Sequence, residues 1–129
     1  MLGILSPKAI LLGTAGGLLG SGLAFALVAT VARLASSEIL AGIALTASVL
    51  IGFGLGGFVA GKMAPVNGRF HGSITALVVA VIVVAVASLG GSPTPVGSVL
   101  LLALLAIVTG GIGGAIGGRR SDESTSSGD

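Results

Sequence analysis

Four stretches of this chain contain no charged side chain at all: residues 9–32, 39–61, 72–91 and 97–118. Each is close to the ~20 residues that an α-helix needs to cross the hydrocarbon of a bilayer. No water is available in that layer to satisfy a backbone N–H or carbonyl, so a lone segment crosses it as a helix, which satisfies its own. The four runs predict four membrane helices and leave no segment of the 129 residues long enough for a separate soluble domain. Composition agrees: 8% of residues are charged, against about 25% in ordinary globular chains, and the mean hydropathy is +1.17. The expectation is an all-α, four-transmembrane-helix bundle over residues 1–118, an integral, multi-pass membrane protein whose main environment is the lipid bilayer.

The first run has some features of a secretory signal, with Lys8 ahead of it and the small residues Ala24, Ala26, Ala29 and Ala32 within it. It is longer than the about 7–15 apolar residues of such a signal, and Arg33 follows it directly, so a retained first helix is expected. The short connections at 33–38, 62–71 and 92–96 make consecutive helices antiparallel neighbours. Ser36 or Ser37 can cap the second helix, with Glu38 favoured in its first turn by the helix dipole. Residues 119–129 end in SDESTSSGD, which has no apolar side chain to bury and is expected to be a disordered polar tail.

Charge then orients the bundle. Lys8 precedes the first span, Lys62 and Arg69 lie between the second and third, and Arg119 and Arg120 follow the fourth. With alternating spans all five fall on one side, while the other carries Arg33, offset by Glu38. The positive-inside rule places that basic side, and both termini, in the cytoplasm, with the protein in the cell membrane. A pI near 10.0 does not indicate nucleic acid, because the net charge is only +2 and aromatic residues are 3% of the chain. The basic groups also sit where anionic lipid headgroups lie, each worth about 1 kcal/mol of surface attraction.

Glycine is the second informative feature. It costs a helix about 1 kcal/mol relative to alanine, and the chain has 24, so a compensating contact is needed. In lipid no hydrophobic force drives helices together, and small residues four apart let two backbones approach until dispersion contacts accumulate. Such rows are Ala9, Gly13, Gly17, Ser21 on span one; Ser48, Gly52, Gly56, Ala60 on span two; and Ala106, Gly110, Gly114, Gly118 on span four. Gly57 and Gly61 join the helix-packing set. The rows can serve packing within one copy, a face for self-association, or the lining of a pore. Span three is β-branched and nearly glycine-free from Ile74 to Ser88, which suits a helix turned toward lipid.

An offset of 57 residues lays GLGGFVAGK (54–62) on GIGGAIGGR (111–119), pairing Gly54 with Gly111, Gly56 with Gly113, Gly57 with Gly114, Gly61 with Gly118 and Lys62 with Arg119. Two hairpins repeated in one orientation would be related by an axis along the membrane normal. Glycine abundance is the competing explanation.

Few residues carry chemistry. The run Gly56 to Lys62 nearly spells a phosphate loop, but Met63 replaces the hydroxyl residue that would meet magnesium, and no strand precedes it. There is no cysteine, so disulfides, thiolate metal sites and a cysteine nucleophile are excluded. His71 is the only histidine; alone it makes no metal site, and Glu38 belongs to the opposite side. Its expected place is the first turn of span three, packed at an interface where Gly72 allows close approach. Ionisable residues inside the spans would mark proton or ion pathways, and none is present. Only Thr14, Ser21, Thr30, Thr46, Ser48, Ser73, Thr75, Ser88, Ser98 and Thr109 offer side-chain polar contacts there.

GGFVAGKMA followed shortly by RFHG resembles the central loop of small uncharacterised four-helix prokaryotic membrane proteins, the YrzE-like family and similar archaeal proteins of unknown function. The matching positions are Gly56, Gly57, Phe58, Val59, Ala60, Gly61, Lys62, His71 and Gly72. The resemblance implies the four-helix membrane fold and brings no activity to carry over. The functional expectation is therefore a structural or accessory membrane protein that associates with itself, with no enzymatic activity and no cofactor. The alternative is a small oligomeric channel or facilitator with a pore lined by glycine, serine and threonine.

Overall fold

The computed structural model describes residues 6–91 and 94–126, with backbone alone at 32, 35 and 120–126. Four helices follow one another: α1 (Pro7–Ala35), α2 (Glu38–Met63), α3 (Gly68–Leu89) and α4 (Val96–Ser126). Each holds a window long and apolar enough to cross a membrane, namely Pro7–Val31, Glu38–Met63, Gly68–Leu89 and Val96–Arg119. The chain is an all-α four-helix bundle and reads as a multi-pass membrane protein.

Local chemistry sets the boundaries. Pro7 opens α1, where its missing N–H costs nothing. The two serines of the next turn divide the work: Ser36 ends α1 in the left-handed region at φ 50, and the Ser37 hydroxyl caps α2 by accepting the Leu40 N–H at 3.4 Å. Ala64 leaves α2 in an extended conformation, as the residue before a proline must. Asn67, at φ 53, turns the chain into α3, a role its short polar side chain tolerates. The Pro95 carbonyl then accepts the N–H groups of Ser98 and Val99 to start α4.

Two bounds differ from the charge-free runs. α3 begins at Gly68 rather than 72, because Arg69 and His71 end an apolar run without ending a helix. α4 continues to Ser126 through the segment read as a disordered tail from 119; lacking apolar residues removes a packing partner, but it does not stop hydrogen bonding that is already nucleated. Residues 127–129 lie outside the described residues.

In cross-section the helices form a rhombus. α2 and α3 touch each other and every other helix, whereas α1 and α4 lie on opposite flanks and do not meet. Phe53, Ala76, Val79, Ala80 and Ala106 fill the centre, with Leu18, Val49, Leu50, Val83 and Leu102 packed around them. Both hairpins run in the same orientation, yet a two-fold axis exchanging α1 with α3 and α2 with α4 would repeat the α2–α3 contact as α4–α1. No such contact exists among the described residues, so the hairpins are not symmetric partners.

The expectation that span three faces lipid is overturned. α3 buries His71, Gly72, Thr75, Ala76, Val79 and Ala80, and α1 is the peripheral helix, with 11% of its most apolar window buried against 28% for each of the others. Small residues do occur on α3, as Gly68, Gly72, Ala76 and Ala80, spaced by four and so sharing one face.

Candidate functional site

The bundle is closest at the end that carries Lys62, Arg69 and Arg119. Two seams meet on α2 there. On one side α1 runs antiparallel: a Cβ on Gly13 would stand 2.7 Å from that of Ala60 and 2.8 Å from the Gly56 carbonyl, and one on Gly17 would stand 3.0 Å from the Gly52 carbonyl. A Cβ on Gly52 would meet Ser21. The α1 and α2 rows therefore face each other, glycine to backbone.

On the other side α4 runs parallel to α2. A Cβ at Gly57 would strike the Gly110 carbonyl and one at Gly61 the Gly114 carbonyl, while Gly113 and Gly117 press on the carbonyls of Gly54 and Phe58. α3 joins the same node antiparallel to α4. Gly72 sits on the Gly110 carbonyl, Gly68 stands 2.6 Å by its Cβ direction from the Gly114 carbonyl, and Gly114 presses in return on Gly68. At each of these positions the obstacle is backbone, which no rotamer change can move aside. Gly118 lies at the edge, its nearest neighbours 3.5 Å away or more.

Beside this node sits His71, 0% exposed. Its Nε2 accepts the Ser6 backbone N–H at 3.1 Å, so that nitrogen carries no proton; the proton belongs on Nδ1, 3.3 Å from the Asn67 carbonyl. Phe70 stands edge-on to the ring at 6.5 Å. A neutral imidazole thus ties the N-cap of α1 to the N-cap of α3, and both of its nitrogens are occupied.

The remaining basic residues do not converge on His71. Lys62 and Arg69 are exposed, as is Arg119; the Arg120 side chain lies outside the described residues. Arg69 and Arg119 line one cleft of about 550 Å³ between the α2–α3 turn and the end of α4, and Lys62 is not part of its wall. Among the described residues no group of three His, Cys, Asp or Glu side chains is placed to hold a metal ion.

Hydroxyls on the helices, exposed and buried alike, mostly turn back on their own helices. Ser21, Thr30, Thr46, Ser48, Ser88 and Thr109 each donate to a carbonyl three or four residues earlier. Ser73 donates across to the Ile107 carbonyl of α4 at 3.0 Å. Thr14 and Thr75 keep buried hydroxyl oxygens without a partner among the described residues.

Two contributors escape the sequence reading. The α3 row from Gly68 to Ala80 obeys the same four-residue spacing as the others, and it is hidden only when the span is started at 72. Gly113 and Gly117 form a second row on α4, legible by the same rule. What spacing does not reveal is which row meets which.

Comparison with known proteins adds no relative: no protein-family model, no curated protein and no solved structure matches the chain.

Proposed function

We propose that this chain is a non-enzymatic structural or accessory protein of the cell membrane, with both termini cytoplasmic, that associates with copies of itself. The observation that carries the reading is the filling of its interior. Phe53 is 0% exposed at the centre, glycine backbones touch at the basic end, and the inward hydroxyls of Ser21 and Ser48 bond within their own helices. A copy built this way is solid, and what it offers is its outer surface. That surface still holds helical glycines without a contact: Gly22 and Gly42 have nothing within 4 Å of a built Cβ. Each costs about 1 kcal/mol of helix propensity, and a second copy packed against it would supply the missing compensation.

The rival is an oligomeric channel or facilitator. The unpartnered hydroxyls of Thr14 and Thr75 favour it. One experiment separates the two. In reconstituted vesicles, crosslinking over a range of protein-to-lipid ratios is expected to trap oligomers, Gly22→Leu with Gly42→Leu to weaken them without lowering the thermal midpoint, and small-solute flux to match protein-free vesicles. A monomer at every ratio removes self-association, and flux above the protein-free level transfers the reading to the channel.

A further inference from the structure

We propose that the cleft between the α2–α3 turn and the end of α4 is a binding site for a phosphate anion, carried as the headgroup of an anionic lipid. Its walls bring together Asn67 and Arg69 from one element and Ile112, Ile116 and Arg119 from the other. Arg69 and Arg119, from different helices, both line this space of about 550 Å³, and among the described residues no carboxylate lines it. Guanidinium is the side chain whose fixed fork matches phosphate oxygens two at a time. Two of them on one cleft offer an anion positive charge from both walls.

Geometry beyond charge supports the same ligand. The α2–α3 turn is held in place rather than hanging free, because Gly68 abuts the Gly114 carbonyl and His71 anchors the turn to α1. Asn67 makes no side-chain cap to α3, and its carbonyl takes the N–H groups of Phe70 and His71, so those of Gly68 and Arg69 are the ones at the helix start that a ligand can meet. Ile112 and Ile116, 54% and 53% exposed, continue the wall toward the bilayer with apolar surface, as an acyl chain attached to the phosphate requires.

A built site differs from diffuse attraction to an anionic surface, in which every basic residue counts equally. Lys62 supplies the comparison, since it lies at the same end and outside the cleft. Native mass spectrometry of the detergent-solubilised protein would be titrated with phosphatidylglycerol, with phosphatidylcholine and with inorganic phosphate. Phosphatidylglycerol is expected to bind in preference to phosphatidylcholine. Arg69→Gln and Arg119→Gln should each weaken it about tenfold, as the loss of a hydrogen bond to a charged group does, and Lys62→Gln should change it less than about twofold. Inorganic phosphate binding with the same variant pattern, and no lipid preference, would keep the site and reassign its source to a free anion. If Lys62→Gln weakens binding as much as the arginine variants, or the two lipids bind alike and phosphate does not bind, the proposal fails. Should a glutamine variant unfold, Arg69→Lys and Arg119→Lys keep the charge and are expected to show an intermediate loss through the missing fork geometry.

Discussion

At the scale of single residues, one motif holds glycines of opposite sign. In GLGGFVAG, Gly57 and Gly61 lie against the backbone of α4, while a Cβ on Gly54 would meet nothing within 4 Å. Gly57→Ala should therefore cost about 1–3 kcal/mol by overpacking, and Gly114→Ala the same. Gly54→Ala should gain up to about 1 kcal/mol from helix propensity. The thermal midpoint of the detergent-solubilised protein reads all three, and equal effects at Gly54 and Gly57 would remove the α2–α4 seam. His71 gives a second residue-scale expectation. His71→Ala empties a fully buried site and unties Ser6, so a loss of about 2–4 kcal/mol is expected. The more specific readout is amide exchange at Ser6, whose N–H has the imidazole as its acceptor; it should accelerate while exchange in the middle of α2 stays unchanged. Unaltered Ser6 exchange would mean that the histidine fills space and ties nothing.

Among the helices, composition and position tell different stories. α1 is rich in glycine yet peripheral: Gly13, Gly16, Gly17 and Gly20 face α2, but only 11% of its most apolar window is buried. α3 is rich in valine yet central, because its small face of Gly68, Gly72, Ala76 and Ala80 meets the node. An average over a helix says nothing about one face, and this is why the existence and length of the spans were legible in the charge-free runs while the place of α3 was not. Rows of small residues mark where a helix can be approached. The pairing of rows depends on the relative rotation and depth of two helices, which the spacing within one helix does not contain. The anchoring of His71 by Ser6, 65 residues away, was illegible for the same reason. The test of α3 compares two faces of one helix. Ala76→Leu would drive a side chain into Gly110, which already lies against the Ala76 Cβ, and should cost about 1–3 kcal/mol. Val81→Leu, at a position 66% exposed, should be nearly neutral for the isolated copy. A large loss at Val81 in vesicles but not in detergent would mean that a second copy covers that face.

For the molecule as a whole, an even number of spans puts both described ends on the same side, and the packing fixes which charges share it. Ser6 lies on His71 and Gly68 on Gly114 and Gly118, so the start of α1, the α2–α3 turn and the end of α4 form one face of the bundle. Lys8, Lys62, Arg69 and Arg119 belong to that face, and Arg33 with Glu38 to the other. Glycine seams cannot orient such a body, because packing between helices is the same whichever way the bundle is inserted. Orientation has to come from the loops, where basic residues resist translocation. Reporters fused after Gly118 and between Met63 and Gly68 are therefore expected to read cytoplasmic, and one between Gly91 and Val96 external. Moving charge should move the answer: replacing Lys62, Arg69, Arg119 and Arg120 by glutamine while adding lysines beside Thr94 should yield a mixed or inverted population with the helix packing intact. A fixed orientation in that variant would show that something other than loop charge inserts the bundle. An external reading after Gly118 in the native chain would break the even span count, and with it the shared face on which the arginine cleft is built.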